Sequence, residues 1–417
     1  MTSITKLPCE VMTSVMRNLG SVRFLLPCLL TCRYFYSCFK ENPGVAADIL
    51  EQQVTPALVP YSVAVLESWH LRPRTGTLIR KLLEALYMEP SKLRSRLRTV
   101  SVPLLIKLET LHEAIHSMTT QFSNNAWAHI LLDQESRTPH NLSLSPTEYY
   151  RFCRAFYRFE LYCNLFRSSM PSNIASFSED DREWFFSQHA PWENEQLGSA
   201  HDFLELQLFK ASYDVLAHDV EFGEWEVDYL TVGGDNGWRQ LWLSQGIYFI
   251  YKMVNETSYE AKKALLRSPN QVTSADLFDA LTFLSEEDLD DDIPLAEYTN
   301  EELETLYPTL HIQDTDKGPF EAWRVAFNCL PRSDWVMLAD NSGLRERAYV
   351  LWDLDRLKRY KLLELFENTP KDSELLKDDK DFDGMYESFE ERSNIWEKGG
   401  LGYWSKGDES RIVWRER

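Results

Sequence analysis

Two short apolar stretches near the start decide how this chain begins to fold. They read Leu7-Pro8-Cys9-Glu10-Val11-Met12 and Leu25-Leu26-Pro27-Cys28-Leu29-Leu30-Thr31-Cys32-Arg33-Tyr34-Phe35. Pro8 favours a helix start, because its fixed φ and its missing N–H suit a first turn. Val11, Val15 and Leu19 follow at the spacing of one helical face. The sequence therefore predicts a first short, amphipathic helix.

A second helix is predicted from about Arg23 through Phe39, after a stop at Gly20 and Ser21. Pro27 is tolerable there only because it lies near the first turn. Two or three helices of this size cannot bury their apolar faces by themselves, since chains below about 40 residues rarely fold unaided. The apolar residues need either the rest of the chain or a partner protein.

These residues resemble an F-box. The opening Leu7-Pro8-x-Glu10 and the closing Thr31-Cys32-Arg33-x-Phe35 match the family pattern, whereas Phe24 stands where the family usually has an acidic residue. The resemblance implies that residues 1–45 bind a Skp-type adaptor and, through it, a cullin-RING ubiquitin ligase. The residues it implies for adaptor contact are Leu7, Pro8, Val11, Val15, Leu19, Leu25, Leu29, Leu30 and Phe35. The alternative is an ordinary helical hairpin that packs on its own domain.

The fold class predicted for the whole chain is mainly α: the helical hairpin, then an irregular helical bundle over residues 46–417. Apolar residues recur at helical spacing in residues 78–86, 104–122, 149–166, 198–216 and 238–254. The last of these is almost wholly apolar, which predicts the central buried helix. The sequence has no internal repeat of the kind that forms a propeller or a solenoid. Residues 190–198, 344–353 and 392–411 also look similar to stretches of F-box proteins from filamentous fungi, so the resemblance covers most of the chain.

Two segments of the bundle region have unusual compositions. Residues 285–318 are rich in acidic residues and proline, which predicts an exposed acidic loop or, alternatively, a linker between two helical domains. Residues 392–417 combine glycines with Tyr403, Trp404 and Trp414, which predicts a strap across the bundle. Arg345, Arg347 and Arg392 are expected to pair with Asp353 or Asp408. Alternatively, the aromatic residues of this strap form a pocket that recognises a motif on a substrate.

Composition limits the classes of partner. The 417 residues carry a net charge of −21, which repels phosphate backbones and acidic membranes. The basic run at residues 92–98 is interpreted as a solvated helix face with its two leucines inside. No apolar run approaches the ~18 residues that span a bilayer. Seven scattered cysteines indicate reduced thiols, so we expect a protein of the cytoplasm or the nucleus. From the net charge and the lack of a long apolar run we expect no nucleic-acid partner and no membrane partner.

Three motifs suggest metal or nucleotide chemistry. His112-Glu113-Ala114-Ile115-His116 satisfies H-E-x-x-H, which on a helix places two imidazoles one turn apart. No further zinc-ligand motif follows it, so a hydrogen-bonding role is favoured. The run from Asp379 to Glu390 reproduces the EF-hand calcium pattern, but its flanks are acidic and no second loop pairs with it. Residues 233–237, rich in glycine, are interpreted as a helix cap rather than a nucleotide site.

The sequence thus predicts a non-catalytic substrate receptor of a Skp-cullin-F-box ubiquitin ligase that presents an unknown protein substrate. The alternative is an adaptor-bound scaffold that is independent of ubiquitination. A third interpretation is a calcium-binding protein built on the Asp379 loop, or a metal-dependent protein built on His112 and His116. No catalytic residue, cofactor or metal ligand is assigned.

Overall fold

The fold was analysed in a computed structural model, which describes residues 6–134, 142–167, 178–267, 275, 277–282, 293–306, 314–330, 341–369 and 381–414. The chain is mainly helical, and this confirms the predicted fold class. Helices in the first half are α1 (Cys9–Arg17), α2 (Leu25–Thr31), α3 (Arg33–Glu41), α4 (Val45–Gln53), α5 (Val59–His70), α6 (Gly76–Met88), α7 (Pro90–Arg96), α8 (Val102–Asp133), α9 (Pro146–Phe166) and α10 (Glu179–Ser187).

The second half begins with another long helix, α11 (Pro191–His218). Shorter helices follow it: α12 (Val220–Glu224), α13 (Gly237–Leu243), α14 (Ile247–Asn255), α15 (Tyr259–Arg267), α16 (Leu277–Thr282), α17 (Asn300–Leu306), α18 (Gly318–Phe327), α19 (Ser342–Glu346), α20 (Leu354–Arg359), α21 (Leu362–Asn368) and α22 (Phe382–Glu397). Single 3-10 turns occur at Val22–Phe24, Leu97–Thr99, Leu295–Glu297 and Tyr349–Leu351. None of the described helices is both long and apolar enough to cross a lipid bilayer.

The N-terminal hairpin has three helices rather than two. The helix expected over residues 23–39 is interrupted at Cys32, whose φ of −158° and ψ of 155° are those of extended backbone. Helix α2 therefore ends at Thr31, and α3 begins at Arg33. Apolar periodicity continues across the break, which is why the sequence pattern suggested one helix.

Three long helices, α8, α9 and α11, pack against one another and form the centre of the bundle. Helix α9 starts at Pro146, as predicted, and Ser145 and Glu148 form a reciprocal capping box there. Its side chains are buried on nearly every face. Aromatic rings join the three helices: Phe122 of α8 stacks on Phe203 of α11, with ring centroids 4.6 Å apart, and meets Phe152 of α9 edge on.

The helix predicted over residues 238–254 is two helices. Gly246 has a φ of +90°, a conformation that L side chains avoid, and it separates α13 from α14. The buried carboxylate of Glu160 accepts a hydrogen bond from the Ile247 amide at 2.7 Å and stabilises this turn. The prediction that this segment is the central helix was therefore wrong, because its apolar residues cover two short elements.

The described parts of the acidic segment contain short helical elements. Of residues 285–318, the structure describes 293–306 and 314–318, and these include a 3-10 turn and α17. Leu295 and Leu303 are buried, and the Leu295 amide donates to the Leu330 carbonyl at 3.0 Å. This part of the segment packs on the bundle, so it is not an exposed loop.

The C-terminal segment begins as helix α22 and continues into an antiparallel pair, β1 (Gly400–Gly402) with β2 (Ile412–Trp414). It packs against α12, and Trp404 is buried there whereas Trp414 is 45 % exposed. The expected ion pairs were wrong. Arg392 donates to the Leu216 and Asp219 carbonyls, and the partners of Arg345 and Arg347 lie on α11 and α8.

Candidate functional site

The first helices expose two rows of apolar side chains. On α1 and the residues before it, Leu7, Val11 and Val15 are 38 %, 44 % and 46 % exposed. On α2, Leu26 and Leu30 are 49 % and 78 % exposed. We call these five residues the exposed N-terminal rows. Soluble proteins leave single apolar residues at the surface, whereas repeated exposure at helical spacing makes these rows a candidate contact surface.

The opposite side of the same helices is buried in the chain's own core. Met12 and Met16 of α1 lie next to Val11 and Val15 in sequence, yet they are 1 % and 0 % exposed. Helix α1 is therefore apolar on two sides, and the described part of the chain covers only one of them.

The other residues predicted to contact the adaptor occupy different environments. Pro8 is exposed and precedes α1. Leu19 and Phe35 are partly buried against the core. Leu25 and Leu29 are 0 % and 7 % exposed, so their side chains pack within this chain. Leu26 was not selected from the sequence, although its spacing of four from Leu30 indicates a shared helical face.

Glu109 of α8 joins the N-terminal helices to the bundle. Its buried carboxylate accepts hydrogen bonds from the Val22 amide at 3.0 Å, the Arg23 amide at 3.3 Å and the Gln53 side chain at 2.7 Å. Three donors compensate the cost of burying this charge. The exposed rows thus sit on a firmly attached support rather than on a free tail.

The basic run at residues 92–98 pairs with carboxylates. Arg94, Arg96 and Arg98 contact Glu51, Glu67 and Asp48 at 2.9 Å each. Leu93 and Leu97 are fully buried, which confirms the predicted orientation of this face.

The H-E-x-x-H motif lies on α8 and binds tyrosines. His112 Nδ1 lies 3.0 Å from the Tyr157 hydroxyl, and His116 Nδ1 lies 3.0 Å from the Tyr149 hydroxyl. Burial lowers the pKa of His112 to about 4. Glu113 pairs with Arg23. Both imidazoles therefore serve as hydrogen-bonding groups between α8 and α9.

The calcium motif does not form an EF-hand loop over its described part. Asp379 and Lys380 lie outside the described residues, and residues 382–390 belong to α22. Asp381 caps this helix and accepts a hydrogen bond from the Gly384 amide at 2.8 Å. The carboxylates that follow it project from a regular helix instead of converging on one point.

A row of buried arginines runs along α9. Arg151, Arg154 and Arg158 are each at most 1 % exposed. Arg151 contacts Asp314 and Asp353 at 2.7 Å, and Arg154 contacts Glu193 at 2.6 Å. Asp353 was expected to pair with a C-terminal arginine, but its partner, Arg151, lies on α9.

The described residues form a partly open cavity of about 400 Å³ between α8, α11, α16 and α19. Its apolar wall includes Phe122, Phe203 and Phe278. Polar groups enter it from α11 and α19, among them Glu205 and Arg345. The volume suits a small ligand or a side chain of a partner. Its lining includes none of the described strap residues, 392–414, where the sequence suggested an aromatic pocket.

At one end of this cavity, His201, Asp202 and Glu205 of α11 lie together. One ligand atom from each lies within 4.8 Å of the others, and His201 and Glu205 are 0 % and 5 % exposed. Sequence reasoning missed this group. The available signal was His201-Asp202-x-x-Glu205, which places a nitrogen ligand and two carboxylates on one turn of a helix.

Charges around the group shift all three pKa values. Burial lowers the pKa of His201, but the hydrogen bond to Asp202 and the charge of Glu205 outweigh it and leave a net raised pKa. Burial raises the pKa of Asp202, and Arg345 outweighs it and lowers the value. For Glu205 burial dominates and raises the pKa. The group therefore combines an imidazole whose pKa is raised with two carboxylates whose pKa values are shifted in opposite directions.

The glycine-rich turn before helix α13 lines this end of the cavity with Gly233. Asn236 caps α13 and accepts from the Arg239 amide at 3.0 Å, which confirms the predicted cap. The Gly233 amide donates to Glu205 Oε1 at 2.8 Å. The turn thus binds a carboxylate of its own chain.

Comparisons with protein-family models, curated proteins and solved structures found no match to this chain.

Proposed function

We propose that the exposed N-terminal rows bind a Skp-type adaptor, and that the chain is a non-catalytic substrate receptor of a Skp-cullin-F-box ubiquitin ligase. The observation that carries this proposal is the two-sided apolar character of α1. Met12 and Met16 attach the helix to the bundle, while Val11 and Val15 remain exposed for a partner. The F-box-like pattern of the same residues supports the choice of partner.

The energetic argument follows from burial. Fully burying an exposed Val or Leu side chain contributes roughly 1.5–3 kcal/mol, and the five residues of the two rows, which are 38–78 % exposed, gain a corresponding part of it when a partner covers them. Leu25 and Leu29 hold α2 against its own chain, so their part in adaptor binding is to position Leu26 and Leu30. Glu109 supports the 3-10 turn that leads into α2.

The mechanism of such a receptor is proximity. A substrate bound to the helical remainder, residues 46–417, gains a high effective concentration near a charged ubiquitin-conjugating enzyme. No group of this chain reacts, and no cofactor takes part in this step. The protein would act in the cytoplasm, the nucleus or both.

The test is co-purification of the tagged full chain from cells, with blotting for the Skp-type adaptor and the cullin. The test variant combines Val11→Ser, Val15→Ser and Leu30→Ser. The matched control is Leu132→Ser on α8, because Leu132 is 74 % exposed and Leu30 is 78 % exposed. Circular dichroism and thermal unfolding verify that both variants fold.

We expect the unaltered chain and the control to recover adaptor and cullin, and the triple variant to recover neither. Recovery of the adaptor without the cullin would favour the ubiquitination-independent scaffold instead. Failure of the unaltered chain to recover the adaptor would contradict both versions of the proposal.

A further inference from the structure

The cluster on α11 contains an arrangement of atoms that calls for a cation. The side-chain amide of Gln240 fixes the first part of it. Its Nε2 donates to Glu205 Oε1 at 3.2 Å and to the Gly233 carbonyl at 3.1 Å. The amide oxygen therefore faces His201 Nε2, 3.2 Å away, and that nitrogen must carry a hydrogen.

The other nitrogen of His201 faces a carboxylate. Nδ1 lies 3.3 Å from Asp202 Oδ1. A neutral imidazole with Nε2–H presents a lone pair at Nδ1, and two lone pairs at this distance repel. A proton or a metal ion between Nδ1 and Oδ1 removes this repulsion.

The distances suit a metal ion. Two ligand atoms that are each about 2.1 Å from Zn²⁺ and 3.3 Å apart subtend about 105° at the metal, close to a tetrahedral angle. The ligand atoms of all three residues lie within 4.8 Å of one another. Two ligands of one tetrahedral Zn²⁺ ion are about 3.4 Å apart, so side-chain shifts of up to about 1.4 Å close the site.

Glu205 has one carboxylate oxygen left for a ligand. Its Oε1 accepts hydrogen bonds from the Gly233 amide and the Gln240 side chain. The side chain is 5 % exposed and lines the cavity, so Oε2 is the oxygen that is available to a cation there.

Neighbouring residues already orient the three ligands as outer-shell groups do in metal sites. Gln240 accepts from the His201 nitrogen that would not bind metal. Arg345 Nε donates to Asp202 Oδ2 at 2.6 Å, so Oδ1 stays directed at the imidazole. The cavity beside them leaves room for a water or a ligand oxygen in the fourth position.

We propose that His201, Asp202 and Glu205 bind one divalent transition-metal ion of the zinc class, with one coordination position open to the cavity. One nitrogen and two carboxylate ligands favour Zn²⁺ over Mg²⁺, which prefers oxygen ligands and six-fold geometry. This inference is independent of adaptor binding.

The test is calorimetric titration of the metal-free full chain with Zn²⁺ and, separately, with Mg²⁺. The ligand variants are Glu205→Gln and His201→Gln. Two matched controls make the same replacements elsewhere: Glu346→Gln on the cavity wall and His116→Gln in the H-E-x-x-H motif. Circular dichroism compares the folds of all chains.

We expect the unaltered chain and both controls to bind one Zn²⁺ per chain, and the two ligand variants to bind it at least about tenfold more weakly. Mg²⁺ should bind far more weakly than Zn²⁺. If His201→Gln does not fold, Glu205→Gln decides, because its amide oxygen still accepts from Gly233. Absence of binding by the unaltered chain, equal binding by Glu205→Gln, or equal affinity for Mg²⁺ would overturn the proposal.

Discussion

The N-terminal helices and the central helix α9 reverse the usual distribution of side chains in opposite ways. At the N-terminus, apolar residues such as Leu30 remain exposed. In α9, Arg151, Arg154 and Arg158 are buried. The cost of burying the arginines of α9 is compensated within the chain, because carboxylates and carbonyls contact their guanidinium groups. The described residues do not cover the exposed apolar side chains of the N-terminal helices, and this difference is what supports the proposal of a partner surface there.

Removal of a buried arginine tests the compensated region and should have the largest effect. In Arg151→Ala, Asp314 and Asp353 lose their buried partner. We expect a loss of about 3–5 kcal/mol in the free energy of unfolding, measured by urea denaturation. Arg98→Ala is the control, because its exposed pair with Asp48 should contribute below about 1 kcal/mol. Equal losses of unfolding free energy in Arg151→Ala and Arg98→Ala would contradict the larger contribution assigned to the buried arginine.

Adjacent residues of α1 separate the two sides of the N-terminal helix. Met16 is 0 % exposed and Val15 is 46 % exposed. Met16→Ala should cost about 2–5 kcal/mol of stability, because it leaves a cavity in the core. Val15→Ala should change stability by less than about 0.5 kcal/mol. A large loss for Val15→Ala would mean that the exposed row is covered by this chain after all.

His112 gives the central region a pH dependence. Its pKa of about 4 in the folded chain lies below the ordinary value of about 6.5, so the unfolded chain binds more protons between these values. Its contribution to stability is complete above about pH 6.5 and is lost as the pH falls towards 4. Between pH 7.5 and pH 5 the loss should be about 2 kcal/mol.

Urea unfolding at both pH values measures this loss. His112→Gln should reduce the pH-induced change by that amount. An unchanged pH dependence in His112→Gln would refute the assignment.

The sequence predicted helices well where a long amphipathic pattern had clear ends, as at Pro146 in α9. It failed where continuous apolar periodicity crossed a backbone break, as at Cys32 and Gly246, because a periodic pattern does not register a single extended or left-handed residue. Composition also failed for residues 293–306, since Leu295 and Leu303 anchor an otherwise acidic segment.

Both candidate sites depend on packing contacts that the sequence pattern does not show. The exposure of Val11 and Val15 beside buried Met12 and Met16 depends on how α1 packs, and all four residues are equally apolar in the sequence. The group at His201 depends on Gln240 and Arg345, which lie 39 and about 140 residues further along the chain. Sequence spacing reveals the three ligands on one helix, but not the contacts that orient them.

The most direct test of the account is a binding titration of the purified full chain with a purified Skp-type adaptor, by calorimetry. We predict a one-to-one complex that Leu30→Ser weakens at least about tenfold and that Leu132→Ser leaves unchanged, with both variants folded like the unaltered chain. No binding by the unaltered chain, or equal weakening by the two variants, would contradict the claim that the exposed N-terminal rows form the adaptor-binding surface.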